Sequence, residues 1–318
     1  MSLSTSKPSK KRKENAFTIK EFKRQWLLVV IAAVYVLYGL VFNYLPLAGW
    51  VMAFQNYKYK LGITGSKFVG LDKFKFLFAD NNFLLVIRNT FAMGVLNLFF
   101  GTVTAIAFAI LLNEVKNTMG KKLIQTISYL PHFLSMIVVT GIVHDALSST
   151  GIINELLMKF GIIDSPYAFF AKKAWFWPIV TLSNLWKETG WNAIIYLAAI
   201  TSIDPSLYES ASIDGAGRFQ KMWYVTLPSL RPTIMILLLM NVGNVLNAGF
   251  EIQYLLGNGL VQSVSKTIDI YVLDWAINGR NMDYSLGTAA GIFKSVVSLS
   301  LIVIANTIAK KTGDERLF

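Results

Sequence analysis

The sequence predicts an all-α polytopic membrane protein with six transmembrane helices. Hydrophobic residues fill 54% of its 318 positions and charged residues only 15%, where a soluble domain carries about 25% charged. The mean hydropathy is +0.50. The apolar residues also fall in long blocks, and six of these reach the roughly 20 residues a helix needs to cross a bilayer.

Residues 1–25 form the first division, a basic tail ending in a short interfacial helix. They hold Lys7, Lys10, Lys11, Arg12, Lys13, Lys20, Lys23 and Arg24, opposed only by Glu14 and Glu21. No small-residue cleavage site follows, so a signal peptide is not expected. The membrane domain occupies 26–309. Its spans are predicted at Trp26–Trp50, Phe83–Leu112, Leu123–Leu147, Phe176–Ile203, Leu227–Gly249 and Leu286–Ala309. Residues 310–318 complete the chain as a second tail.

Orientation is read from Lys and Arg flanking the spans. With both termini in the cytoplasm, the inner segments carry sixteen basic residues and the outer ones ten. The net charge of +12 then serves lipid headgroups and topology, and no nucleic-acid partner is expected. Three long outer segments, 51–82, 150–175 and 250–285, are rich in glycine and aromatics. They either form a docking surface for an external protein or cap the bundle.

The most informative polar stretch is Asp204–Pro228, DPSLYESASIDGAGRFQKMWYVTLP. Asp204 suits a helix N-cap ahead of Pro205, and Ser206 with Glu209 fits a capping box. Ser210, Ala211 and Ser212 are small, and Gly215 suits a left-handed helix stop. A helix over 204–217, a glycine turn and a second short helix are therefore expected on the cytoplasmic side.

Polar residues within the spans are costly and mark either a solute path or contacts between helices. In the fourth span Asn184, Glu188 and Trp191 share a face by i, i+4, i+7 spacing, beside Lys187 and Asn192. In the fifth, Asn241, Asn244, Asn247 and Glu251 form one stripe if the helix is regular. Amides and a carboxylate near aromatics suit a neutral or weakly charged polyhydroxylated ligand, whose edges need hydrogen bonds and whose C–H faces need flat surfaces. An acidic sugar stays open. Lys187 and Glu188 could instead satisfy each other, and Lys294 could pair with one of the acids. His132 is expected to be structural. His144 and Asp145 are placed near an outer vestibule.

Catalysis by this chain finds no support. It has no cysteine and two histidines, too few for a convincing metal site. It also lacks a phosphate-binding G-x-x-x-x-G-K-[ST] loop. No cofactor is expected on the chain, so active transport would draw either on an ion gradient or on a partner ATPase using ATP and Mg.

Glu209-Ser210-Ala211, then Gly215 after three further residues, then Val225-Thr226-Leu227-Pro228, resembles the EAA motif of ABC-importer permeases, with Ser210 in place of the usual alanine. The run from Tyr196 to Pro228 resembles the carbohydrate branch of the type I importers. SYLPHFLS (128–135), TGIINELL (150–157), LWKETGWNAIIYLAA (185–199) and a sixth span ending near Asn306 are similar to LplB-type members, which are linked to polysaccharide-derived oligosaccharides. The resemblance implies a type I permease fold in the cell membrane. Tyr208, Glu209, Ser210, Ala211, Asp214, Gly215 and Ala216 would couple to the ATPase, with Glu209 bonding a basic ATPase residue and Gly215 setting the bend. It also implies a second permease, two ATPase subunits, an extracellular or periplasmic binding protein, an oligosaccharide substrate and alternating access. The alternatives are import of another solute by the same class, or an ion-coupled carrier, for which no internal repeat is seen.

Overall fold

The computed structural model describes residues 19–278 and 282–312. Much of the predicted basic tail, Gly279, Arg280 and the C-terminal residues after Thr312 lie outside them. The chain divides into two units, one up to Val51 and one from Met52.

In the first unit, helix α1 (Ile19–Gly39) departs from helical geometry at Gln25 and continues through a π-helical turn at Leu40–Tyr44. A 3₁₀ stretch, Leu45–Phe54, then leads into the second unit. The run Lys23–Phe54 is long and apolar enough to cross a membrane. None of its side chains from 23 to 51 is buried, so its apolar surface stays exposed, as in a helix solvated by lipid.

The second unit is organised around one long helix. A small hairpin pairs Gln55–Asn56 with Lys67–Phe68, and helix α2 (Asp72–Ala79) follows. Asp80 then caps α3 (Asn81–Asn113) by accepting from the Asn82 N–H. At 33 residues, α3 is about 50 Å long. It passes through all three cores of the unit. Phe83 and Val86 pack with Leu77, Ile268, Tyr271 and Leu286. Met93 packs with Phe176, Val180 and Ile252. Ala105 and Ala109 meet Ala193, Tyr196, Ile200 and Leu230. Its main partner along this length is α7 (Lys173–Thr201).

The third expected span, Leu123–Leu147, is interrupted. Helix α4 (Thr118–Tyr129) gives way to a 3₁₀ turn at Leu130–Phe133, and α5 (Met136–Leu147) restarts with Ser135 as its cap. Pro131 supplies no N–H to continue α4 and clashes with the preceding turn, which accounts for the break. The apolar run resumes as Met136–Lys159, which includes α6 (Ile152–Lys159).

Helix α7 has 29 residues, enough length to span, but its central polar residues keep it out of the strongly apolar set. Four helices in the described residues are long and apolar enough to cross a membrane. A fifth candidate is the pair Arg218–Ser229 and Arg231–Val242, bent by 56°. The fifth span thus differs from the straight helix expected over Leu227–Gly249. Helix α8 (Pro205–Ile213) and α9 (Arg218–Lys221) precede the bend, and α10 (Arg231–Val242) follows it. Short helices α11 (Glu251–Leu256) and α12 (Ile268–Leu273) lead to α13 (Tyr284–Thr312).

Two helix glycines allow close approaches to other segments. A Cβ on Gly94 of α3 would lie 1.8 Å from the Val245 carbonyl oxygen, and one on Gly190 of α7 would lie 2.2 Å from that of Ser128. Only a residue without a side chain lets these backbones meet.

Candidate functional site

Midway along α3 a polar cavity of about 320 Å³ opens between α3, α7, and α10 with the turn after it. Its polar lining is Asn97 and Thr102 from α3, Asn192 and Tyr196 from α7, and Asn241, Asn244 and Asn247. The stripe predicted on the fifth span is thus brought together in its amides, but not by a regular helix. Helix α10 ends at Val242, and turns carry the chain on: the Asn244 N–H donates to the Asn241 carbonyl at 2.9 Å, and the Asn247 N–H to that of Asn244 at 2.8 Å. The left-handed Gly249, φ +105°, suits this irregular path.

Among the described residues, one close bond joins two of the amides, and the remaining contacts are long. Asn247 Nδ2 donates to Asn244 Oδ1 at 3.0 Å, while Asn97 Nδ2 is 3.5 Å from the Ala248 carbonyl. A bond at 3.5 Å is at the edge of usefulness, so donors and acceptors are left for a solute. Among the described residues, no lysine or arginine lines the cavity.

Other expected path residues sit elsewhere. Asn184 only adjoins the cavity, 3.5 Å from Asn97 Oδ1. Glu251 is exposed at the start of α11 and does not line it. Glu188 and Trp191 face the Pro131 turn. His132 Nδ1 lies 2.8 Å from Glu188 Oε2, Lys187 Nζ donates to the His132 carbonyl and lies 3.5 Å from Glu188 Oε1, and Trp191 stacks on the His132 ring. Both ionisable groups are therefore met chiefly by His132, and they hold α7 to the turn. Lys294 pairs with Asp269 of α12 at 2.6 Å. Asn97 went unrecognised in the sequence, although an amide between Gly94 and Gly101 in the apolar middle of the helix was a readable signal.

The N-terminal end of α3 meets the segment after α11. Asn89 Nδ2 donates to the carbonyls of Ser263 and Lys266, and the Ile268 N–H donates to Thr90 Oγ1. Burial, reinforced by Asp80, pushes the Tyr271 phenol above its ordinary pKa. His144 stacks on Phe170.

At the opposite end of α3 stands the segment with the small residues and the glycine turn. Asp204 caps α8, accepting from the Ser206 N–H at 2.9 Å. This bond holds its carboxyl below the usual carboxylate range. Ser206 is therefore inside the helix rather than its cap, and the expected capping box gives way to Asp204. The helix closes with the Ala216 N–H on the Ala211 carbonyl at 2.9 Å and the Gly215 N–H on that of Ser212 at 3.1 Å. Gly215 is left-handed at φ +80°, as a Schellman closure requires. Glu209, Ser210, Asp214 and Gly215 are exposed, while Tyr208, Ala211 and Ala216 are half-buried. Two side-chain bonds cross the turn, Tyr208 Oη with Thr226 Oγ1 at 2.9 Å and Lys221 Nζ to Ser212 Oγ at 2.7 Å. The result is one braced wedge.

Long apolar helices around an amide-lined cavity, with a braced polar wedge beyond their ends, define the membrane subunit of a transport system. Residues 98–314 match the family model described as the binding-protein-dependent transport system inner membrane component. The chain belongs to this family. It is 41% identical over 309 residues to the polygalacturonan/rhamnogalacturonan transport system permease protein YteP of Bacillus subtilis (strain 168), covering 97% of this chain and 95% of that one. It is 42% identical over 297 residues to protein LplB of the same organism, covering 93% and 92%. A subunit of the bacterial alginate ABC transporter, solved in complex with an alginate pentasaccharide-bound periplasmic protein, superposes with a TM-score of 0.85 at 38% identity. That match covers 95% of this chain and 100% of the other.

Proposed function

We propose that this chain is the permease subunit of an ATP-driven importer and that it moves an oligosaccharide through the amide-lined cavity. The observation that carries this is the cavity itself: amides from three helices converge with the Tyr196 ring and leave hydrogen-bonding capacity unspent. Sugar hydroxyls match such a lining. The relatives point to polysaccharide-derived substrates, acidic ones among them. The cationless lining suits the hydroxyl edges that neutral and acidic sugars share, and leaves carboxylate charge to be met by the second permease of the pair.

Six crossings complete this reading: Lys23–Phe54, α3, the run from Met136, α7, the bent pair and α13. The two ends of α3 support the orientation. Its Glu114 end contacts Arg218 of the wedge, and the wedge lies on the cytoplasmic side by the flanking-charge argument. Both termini then lie inside. Two partner ATPases bind ATP and Mg and engage the wedge through Glu209 and the small face of Ser210 and Ala211, while this chain catalyses nothing. The loops at the Asp80 end receive the loaded binding protein. ATP and loaded binding protein favour the outward-open state by binding it more tightly, and hydrolysis returns the cavity inward.

Reconstitution tests the reading. The four-subunit complex in proteoliposomes, given its binding protein and oligosaccharides from galacturonan digestion or neutral galactan digestion, is expected to accumulate one set only when ATP is supplied at the wedge side. Uptake driven by an ion gradient without ATP would overturn it.

A further inference from the structure

We propose that Arg218 is the positioning residue through which the wedge moves helix α3, and with it the Asn97 wall of the cavity. The inference rests on the reading of the wedge as the point where the ATPase acts.

The cavity has three walls, and the wedge holds each one differently. Helix α7 runs covalently into it, with only Ser202, Ile203 and Asp204 between Thr201 and α8. Helix α10 runs covalently out of it after the bend at Leu230. Helix α3 ends at Asn113, more than ninety residues away in sequence. Its polar side-chain link to the wedge, among the described residues, is Arg218. The guanidinium Nε donates to Glu114 Oε2 at 2.9 Å, and a terminal nitrogen donates to the Glu114 carbonyl oxygen at 2.9 Å. Glu114 is the C-cap of α3. One side chain therefore pairs with the cap residue's carboxylate and satisfies its carbonyl at the negative end of the helix dipole.

Arg218 is the first residue of α9, directly after Gly217, and sits within the stretch clamped by Tyr208–Thr226 and Lys221–Ser212. A displacement of α8 is thus carried to Arg218 with little internal give. Exposed ion pairs add little to stability. Two fixed-direction hydrogen bonds from a planar fork, however, transmit orientation in a way that a flexible ammonium would not.

The chain contains no cysteine, so an introduced one reports on a single wall. The experiment uses the assembled complex in nanodiscs and a membrane-impermeant maleimide, with labelling of this chain read by mass. Asn97→Cys reports on α3 and Asn192→Cys on α7, each with and without ATP and vanadate. In an otherwise unaltered chain, both labelling rates are expected to change with nucleotide. In Arg218→Glu the nucleotide response at position 97 should shrink about fivefold or more, the scale of a coupling interaction, while that at position 192 persists. Combining Arg218→Glu with Glu114→Arg rebuilds the side-chain pair but not the bond to the carbonyl at position 114, so the response at 97 should return in part. The proposal is overturned if position 97 responds normally in Arg218→Glu, if both positions lose their response together, or if the charge swap restores none of it. No response at either position in the unaltered background would overturn the ATP-driven reading beneath it.

Discussion

The indole of Trp191 lies flat on the imidazole of His132, with centroids 4.3 Å apart and planes 3° from parallel. This contact joins the middle of α7 to the Pro131 turn, between two stretches that share no neighbouring sequence. It also gives Trp191, still exposed on its other side, a packing contact. Trp191→Ala is expected to lower stability by about 1 kcal/mol or more from the lost stacking, read as a lower melting temperature in detergent. The fraction that remains folded should keep its apparent KM for sugar uptake; a KM change without a stability change would return Trp191 to the path.

Cavity amides should behave differently. Asn97→Leu and Asn192→Leu each remove groups that line the cavity. The loss of one neutral hydrogen bond, about 0.5–1.5 kcal/mol, should raise the apparent KM by about two- to tenfold. Glu251→Leu, outside the cavity, should leave KM within about twofold by the usual small cost of surface changes. Proteoliposome uptake at graded sugar concentrations separates the two groups.

Gly94 should tolerate no side chain. Its added Cβ would fall on the Val245 carbonyl, whereas one on Gly291 would meet nothing within 4 Å. Gly94→Val should cost about 3 kcal/mol or more through overpacking against backbone and abolish uptake. Gly291→Ala should be neutral or slightly stabilising, since alanine favours helix. Thermal unfolding of the two purified variants gives the comparison.

At the wedge, Gly215→Ala forces a side chain into a left-handed position and should cost about 1–2 kcal/mol locally. Gly215→Pro and Glu209→Lys should abolish uptake while membrane insertion is retained, measured by fractionation and by co-purification of the ATPase. Unimpaired transport in both would remove the coupling role.

Asp204 gives the wedge a pH dependence of defined sign. Its carboxyl is held low by the Ser206 N–H, so the cap contributes fully above the ordinary carboxylate pKa of about 3.9. That contribution is lost as pH falls through the lowered native value. Hydrogen exchange in α8 should therefore be flat from neutral pH to about 5 once corrected for intrinsic rates. Asp204→Asn, also a good cap, should match the parent, and Asp204→Ala should exchange faster at every pH.

Local patterns set much of this protein. Apolar block length located the runs Lys23–Phe54, α3 and α13, and the cap at Asp204 with the glycine at 215 determined the wedge, because capping and left-handed stops depend on residues within a few positions of one another. The breaks were partly legible too: Pro131 and the Gly243–Gly249 run are turn chemistry, though continuous helices were expected across both. What the sequence could not decide was which polar residues would share a space. Periodicity put Glu188, Trp191 and Glu251 on regular stripes, and that regularity ended where α10 stopped at Val242 and where His132, in the turn before α5, came across to contact Glu188 and Trp191. Asn97 joined Asn192 and Asn244 only because Gly94 and the small residues near it let separate backbones close to contact distance. Such meetings depend on packing between segments far apart in the chain, and only the tertiary structure holds that information.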